Sequence, residues 1–357
     1  MKKRSIFIFT IALLFGAAFF AYPKLQLYFA SQKATINKNK VEFLVLDSLS
    51  LEDLANKLFE KKVIDDVKLF LAVGNYKEMN KANIALGKYE LVPGVSYSNL
   101  LNGFKLNRLG NGNAEQEVRV TFNNCSGPKQ LEKICEKVAQ HIQCDSATLA
   151  SYLLNPETSK SYGFSMEEFP AMFLSNTYQF YYDTDAKKFT DRMAKEFKAF
   201  WSEERISKLR DIGLNKPSEA YTLGSIVYSE QSRISDEWPV IAGLYLNRLN
   251  QRIKLQSDPT FKFCWGSELD GVQRLLYKHR DIDCDYNTYK HYGLPPGPIC
   301  IIGKGLLDAV LNPSNVDYIF MCAKADYSGR HNFTNSGRQH VNNANEFQRW
   351  LTIEQKK

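Results

Sequence analysis

This sequence predicts an α+β protein in three parts: an apolar N-terminal helix, a small α/β unit, and a larger mixed α+β domain. Three observations carry that prediction. Lys2-Lys3-Arg4 precedes a mostly apolar run from Ile6 to Tyr22, closed by Pro23 and Lys24. Short segments such as Val41–Leu46 and Val118–Phe122 carry strand character, including alternation at period two. Most of the remaining sequence repeats its apolar residues at helical spacing. A chain of 357 residues has room for two or three domains. The expected boundaries are 1–24 for a cytoplasmic tip and transmembrane anchor, 25–40 for a stalk and 41–115 for the small unit. Residues 116–174 then form a connecting α/β segment, and 175–357 the main domain.

The apolar run is at the short end of the roughly 17–25 residues that span a bilayer. Its basic flank lies on the N-terminal side, so residues after Lys24 are expected outside the cytoplasm. A cleaved signal peptide is the rival reading. Ala18-Phe19-Phe20-Ala21 is not a clean small-x-small site, and the run is longer than most signal cores, which favours a retained anchor. The net charge of +7 is spread along the chain and demands no nucleic acid. Leu109-Gly110-Asn111-Gly112-Asn113 lacks the strand–helix context of a phosphate loop. The seven cysteines include no CxxC pair, which argues against zinc. Export permits disulfides, the odd count leaves at least one thiol unpaired in a monomer, and mostly buried, inert thiols are the favoured reading.

Ser31–Lys40 is polar and basic and reads as the stalk. Val41–Leu46 is a strand, and Ser48–Lys62 a helix with Leu51, Leu54, Ala55 and Leu58 on one face and Ser50 as N-cap. A helix at Val67–Val73, a strand at Leu86–Leu91 and a helix from Ser98 to Phe104 complete the small unit. Val118–Phe122 is a strand, Gly127–Gln140 an amphipathic helix, and Ala147–Leu154 a short one. Phe169–Tyr182 is rich in aromatic residues. It reads as a core strand rather than a sugar-stacking platform, with Tyr178 the best placed for a cleft. Phe189–Leu209 is one charged amphipathic helix.

Thr222–Pro259 organises the rest. Leu223, Ile226, Val227, Glu230 and Ile234 recur on one helical face, four of them aliphatic. A carboxylate among aliphatic neighbours has its charged form disfavoured, and such a group can stay protonated and serve as a general acid. The competing reading is an ion pair with Arg233 or Arg248. Pro239 suits the first turn of the next helix, which ends near Leu249. Gln256, Ser257 and Asp258 form a loop, with Asp258 held extended by Pro259. Pro295-Pro296-Gly297-Pro298 is a rigid loop suited to a cleft wall or a tight connector.

Several blocks resemble the YceG-like family of endolytic murein transglycosylases. They are Ser225-Ile226-Val227-x-x-Glu230, Leu246-Asn247-Arg248-Leu249, and Leu255-Gln256-Ser257-Asp258-Pro259-Thr260. Tyr286-Asn287-Thr288-Tyr289, Gly293–Ile299, Asn312-Pro313 and His331-x-Phe333-Thr334 follow in the same order. Ser175-Asn176-Thr177-Tyr178 adds looser similarity upstream. Many family members carry two acids in the first block, but Tyr228 occupies the earlier position here.

The resemblance implies a LysM-like module at 41–115, either a tether for N-acetylglucosamine-containing glycan or a spacer. It implies that 175–357 is the catalytic domain. Glu230 would protonate the oxygen between N-acetylmuramic acid and N-acetylglucosamine, then take the proton of the sugar's 6-hydroxyl, closing a 1,6-anhydro ring. No metal or cofactor takes part in that scheme. Asn247, Gln256, Ser257, Asp258, Tyr286, Asn287 and Tyr178 are the expected substrate contacts; Asp258 either steadies the developing cation or only shapes the turn. The expected partners are peptidoglycan strands and the inner membrane, with the glycan-synthesis machinery a candidate, and the expected location is the extracytoplasmic face. A lysozyme-type hydrolase using Asp258 as second carboxylate is the alternative. A non-catalytic glycan-binding anchor is the third.

Overall fold

A computed structural model of the chain describes residues 25–45, 49–81, 83–84, 87–105, 118–123, 125–269, 272 and 277–354. The expected anchor, Ile6–Tyr22, its Lys2-Lys3-Arg4 flank and the Gly-rich Leu109–Asn113 lie outside the described residues. Among the described residues no helix is long and apolar enough to cross a membrane.

The mixed α+β class is observed, with helices dominating and strands confined to two-stranded sheets. The chain divides into two compact units. One takes residues up to Val118 together with Gln179–Thr184; the other takes Arg119–Tyr178 and Asp185 onward.

In the first unit, β1 (Val41–Val45) pairs antiparallel with β2 (Gly87–Leu91), Phe43 opposite Tyr89. Between them run α1 (Leu51–Glu60) and α2 (Val67–Tyr76), and α3 (Tyr97–Gly103) follows. Ser50 caps α1 as expected, and Asp53 returns the bond to the Ser50 backbone, so two otherwise unpaired N–H groups are satisfied. Asp66 and Ser96 cap the next two helices, each side chain accepting one backbone N–H, from Leu69 and Asn99, with no bond returned. Leu54, Ala55, Leu58, Phe70, Val73, Tyr89, Leu101 and Phe104 form its core. The expected stalk is partly built into this unit. Thr35 N–H donates to Val95 O, Ile36 N–H to Val63 O, and the Asn37 amide to Leu91 O. Backbone polar groups that find partners this way do not form a free tether.

The second unit begins with β3 (Val118–Phe122), α4 (Gln130–Ala139), α5 (Ser146–Leu153) and α6 (Pro156–Ser161). Residues 119–174, expected as a connector, belong to this unit because they bond along the 298–303 segment. Gly127 N–H donates to Ile299 O, Ile301 N–H to Cys125 O, Ser175 N–H to Ile302 O, and the buried Gln130 amide to Pro298 O. Phe169–Tyr182 is not one strand. Phe169–Met172 is a 3-10 turn with Pro170 in it, and only Asn176–Phe180 is extended, as β4, paired with β3. The single helix expected at Phe189–Leu209 is two, α7 (Ala186–Phe200) and α8 (Glu203–Asp211). Ser202 breaks the run by capping the second, accepting from Arg205 N–H.

At the centre stands α9 (Pro217–Glu230). Ser218 and every residue from Ala220 to Val227 are buried, so the helix is enclosed on all sides rather than along one stripe. Its polar side chains are therefore committed to neighbours. Tyr221 Oη donates to Phe173 O at 2.6 Å and accepts from Ile302 N–H at 2.8 Å. Ser225 Oγ accepts from Ile299 N–H at 3.0 Å. The helix stops at Glu230, with Gln231 extended, so Ile234 is not on its face as the spacing predicts. Then come α10 (Trp238–Asn250), α11 (Asp258–Trp265), α12 (Tyr277–Arg280) and α13 (Lys304–Leu311). The β5 (Phe320–Ala323) and β6 (His331–Thr334) hairpin and α14 (Gly337–Glu354) close the unit. Asp258 was expected in a loop, but it opens α11, with Ser257 as N-cap.

Mostly buried, inert thiols were expected, and Cys125, Cys135, Cys144, Cys300 and Cys322 are free, with Cys125, Cys135 and Cys300 buried. Cys264 and Cys284 form a disulfide. The bridge pins residue 284 to α11 across a gap of 20 residues. Loops near that length gain about 3 kcal/mol in the chain-entropy account.

Gly297 passes so close to the backbone that a Cβ there would lie 1.8 Å from Glu167 O. Backbone cannot yield as a flexible side-chain tip can, so Gly297→Ala should cost about 1–3 kcal/mol or more of stability. A thermal melt of the purified variant checks this; an unchanged melting temperature would contradict the packing described.

Candidate functional site

The end of α9 opens on a cleft of about 570 Å³. Glu230, Tyr245, Arg248, Gln256, Asp258, Arg280 and Tyr289 line one side, and Phe320–Ala323, His331 and His340 the other. Glu230 is partly buried. Its Oε1 accepts from Tyr245 Oη at 2.9 Å and from Ser257 Oγ at 2.5 Å. Neither arginine offered as an ion-pair partner reaches it in a salt bridge.

Burial is the largest influence on Glu230 and pushes its carboxyl above the usual range. The Asp258 charge adds to this, while Ser257, Tyr245 and His331 pull the other way. Its place on the last turn of α9, where the helix dipole is negative, also disfavours the anion. Burial drives Tyr245 far above the usual phenol range, so its hydroxyl stays a donor.

The turn that brings Ser257 to Glu230 is under strain. Gln256 sits at φ 51°, a region that costs a non-glycine residue about 1–3 kcal/mol. Neighbouring bonds hold it there. Arg248, a buried residue of α10, donates through Nη1 to Leu255 O and through Nη2 to Gln256 Oε1. Gln256 N–H donates to Thr288 O, and Ser257 N–H to Thr288 Oγ1. Thr260 and Thr288 hydroxyls join at 2.8 Å below. Asp258 Oδ1 accepts from Tyr289 Oη at 2.5 Å and lies 4.0 Å from Arg280 Nε.

Of the expected site residues, Glu230, Gln256, Ser257 and Asp258 come together here. Four others do not. The Asn247 amide donates to Val316 O and Tyr318 O, so it holds a loop. Asn287 is fully buried, and its amide donates to Arg280 O and Ile282 O. Tyr286 packs on Phe263. Tyr178 is buried against Phe122 and donates to Leu174 O. Each satisfies buried backbone carbonyls or fills core, which needs the same polar or aromatic residue types as a binding site. Sequence reasoning missed Tyr245, Arg280, Tyr289, Phe320, His331 and His340. Tyr289 and His331 stand inside family-like blocks, and Tyr245 directly precedes one; that was the signal available. Among the described residues no cluster of three or more His, Cys, Asp or Glu side chains could hold a metal ion.

The fold and cleft define a mixed α+β protein with a partly buried carboxyl set among hydroxyl donors. The YceG-like family model matches residues 43–346, and the chain belongs to that family. An endolytic murein transglycosylase of Bacillus subtilis is 38% identical over 119 residues, covering 33% of this chain and 31% of that protein. One from Streptococcus pneumoniae strain D39 is 22% identical across 95% of this chain and 64% of its own length. The chain thus matches less than two thirds of either relative. A crystal structure of a YceG-like protein from Listeria monocytogenes shares the fold, with a TM-score of 0.55 and 23% identity. The match covers 86% of this chain and 99% of that one.

Glu230 binds its proton more tightly folded than unfolded, so it stabilises the fold at acid pH, and that contribution is lost as pH rises through the raised value. Gln cannot ionise. Glu230→Gln should therefore melt above the wild type at pH 8, with the gap shrinking toward pH 4, where the wild-type carboxyl is protonated in the fold. Calorimetry at both pH values tests this, and a gap that does not depend on pH would refute it.

Proposed function

We propose that the chain is an endolytic peptidoglycan lytic transglycosylase, anchored in the inner membrane by Ile6–Tyr22 with its catalytic domain on the extracytoplasmic side. The observation that carries the reading is Glu230: a carboxyl whose hold on its proton is raised by burial, in a cleft, on a chain of the YceG-like family. The relatives' names supply the reaction class. Glu230 protonates the glycosidic oxygen between N-acetylmuramic acid and N-acetylglucosamine. Positive charge builds at the anomeric carbon, and the sugar's own 6-hydroxyl gives its proton to the Glu230 carboxylate as O6 bonds to that carbon and closes a 1,6-anhydro ring. Tyr245 and Ser257 hold the carboxylate that forms and orient it. Cutting within nascent strands would end their elongation. The Cys264–Cys284 bridge supports export, since disulfides persist in oxidising compartments.

The strand–helix–helix–strand unit at 41–104 is proposed as a LysM-like tether that raises the local concentration of glycan. Every proposed catalytic group lies after it. A chain lacking residues 41–104 should keep turnover on short soluble strands and bind long ones less well. Loss of all turnover by a folded truncation would place the unit in the active site.

Asp258 gives the hydrolase reading its one observation, because it shares the cleft with Glu230. Yet its carboxylate is already engaged by Tyr289 and approached by Arg280, which suits shaping the wall more than activating water. Mass analysis of products from purified glycan separates the two: anhydro ends for a transglycosylase, reducing ends for a hydrolase. Glu230→Gln should lower turnover by at least about 10²–10⁴-fold, and Asp258→Asn by less. Near wild-type release of anhydro products by Glu230→Gln would sink the assignment of Glu230, and no product of either kind from the wild type would favour a non-catalytic binding protein.

A further inference from the structure

Two arginines line the cleft, and they are placed differently. Arg248 is 8% exposed, and two of its nitrogens are bonded to Leu255 O and Gln256 Oε1, so it builds the wall from behind. The Arg280 side chain is 38% exposed. Its guanidinium lies over the Tyr289 ring, 5.0 Å from the centroid, and its Nε is 4.0 Å from Asp258 Oδ1. That separation is the outer limit of an ion pair. The same Asp258 oxygen accepts from Tyr289 Oη at 2.5 Å, so the closer bond to this carboxylate comes from the phenol.

Arg280 ends α12, and its backbone is fixed. Arg280 O accepts from the Asn287 amide at 2.7 Å, and that amide also donates to Ile282 O at 2.9 Å. His279 O accepts from Trp265 Nε1 at 2.9 Å, and the Cys264–Cys284 bridge ties the following loop to α11. Asn287, expected to hold the substrate, instead holds the residue before that loop. A guanidinium stacked on a ring and carried by a fixed backbone is a preorganised binding group. Stacking occupies its flat face and leaves the N–H edge in the plane. Its five donors can serve Asp258 and a second acceptor together.

The chemistry of peptidoglycan gives such a group something to read. Both of its sugars have a 6-hydroxyl, so ring closure alone does not tell them apart. Only N-acetylmuramic acid carries an acid: a lactyl group on O3 that ends in a carboxyl. On a peptide-free strand that carboxyl is free. Where a peptide is attached it becomes an amide, and the peptide brings carboxylates of its own. A carboxylate entering beside Asp258 would be repelled by it unless a cation offset the charge.

We propose that Arg280 binds a carboxylate borne by the lactyl substituent of N-acetylmuramic acid, through a bidentate pair, and so selects that sugar for the wall it shares with Glu230. The inference rests on peptidoglycan being the substrate, as proposed above. Arg280 takes no part in the proton transfers; it decides which sugar is presented to Glu230.

The test uses the full chain and four purified substrates: peptide-free strands, peptide-bearing strands, and each of these with its carboxyls blocked as neutral methylamides. For the wild type, blocking should lower kcat/KM about 10–100-fold on at least one kind of strand, mostly through KM. A loss on peptide-free strands assigns the lactyl carboxylate; a loss on peptide-bearing strands alone assigns a carboxylate of the peptide. Arg280→Gln should turn over charged strands as poorly as blocked ones, while its turnover of blocked strands stays near wild type. A variant that loses the same factor on charged and blocked strands would show a wall-building role only and overturn the proposal. Should Arg280→Gln misfold, Arg280→Lys, which keeps the charge but not the fork, should narrow the charged-to-blocked ratio; an unchanged ratio overturns the proposal. Anhydro products from the wild type, with equal turnover of charged and blocked strands of both kinds, would overturn this proposal alone. Reducing ends would overturn the transglycosylase reading, and the ratio would still decide the role of Arg280. No turnover of any strand would overturn both.

Discussion

The structure depends on one enclosed helix. An amphipathic surface helix can leave its polar side chains to water, but α9 cannot, because Ala220–Val227 is buried throughout. Tyr221 and Ser225 therefore bond to backbone that would otherwise be unpaired, at Phe173, Ile299 and Ile302. Those bonds fix the 298–303 segment, and that segment in turn receives Gly127, Gln130 and Ser175 from the start of the unit. The helix thus registers early and late parts of the chain against each other. Its last residue inherits that rigidity, so Glu230 is delivered to the cleft by an element with little freedom to move.

A second constraint is the strained turn. Gln256 pays for its left-handed backbone because Ser257 must face Glu230, and the strain is offset by bonds from two distant segments. Arg248 holds the turn from α10, and Thr288 holds it from the loop after the disulfide. The Leu-Gln-Ser-Asp-Pro-Thr and Tyr-Asn-Thr-Tyr blocks are spatial partners: Thr260 and Thr288 share a hydrogen bond, and Asp258 and Tyr289 another. Asn287 serves this arrangement from behind by anchoring its own loop.

That division explains what the sequence could disclose. Helical periodicity located α1 and α4 because their buried faces repeat at helical spacing, and Ser50 marked its cap by chemistry that is local. The same spacing marked α9 through Leu223, Ile226 and Val227 but did not show that its other faces are buried too. The break at Ser202 was equally local, but it was hidden by continuous amphipathic spacing on either side. Glu230 stood out as a carboxylate among aliphatics. Asn247, Asn287 and Tyr178 looked like ligand contacts because a polar side chain that satisfies buried carbonyls has the same composition as one that holds a sugar. The difference lies in which way each points, and that is set by tertiary packing. The roles of Tyr245 and His331 were hidden for the converse reason, although His331 stands in a family-like block and Tyr245 beside one: their partners are 15 and 94 residues away. The disulfide too joins residues whose spacing carries no signature.

Glu230 at the end of α9 and the buried Glu237 nearby show how one neighbourhood shifts two carboxyls in opposite directions. For Glu230, burial dominates and two hydroxyl donors only soften it, so the acid form is favoured. For Glu237, burial also works against the anion, but the His331 side chain and backbone and the Gln231 amide outweigh it and hold the carboxyl below the usual range. The donors differ in kind: alcohols at Glu230, an imidazole that can carry positive charge at Glu237. Gln231 sits between them in sequence, one residue from Glu230 and bonded to Glu237. A change there would reach Glu237 and the loop before His331 first, through the bonds Gln231 makes to both, while leaving the hydroxyl donors of Glu230 in place.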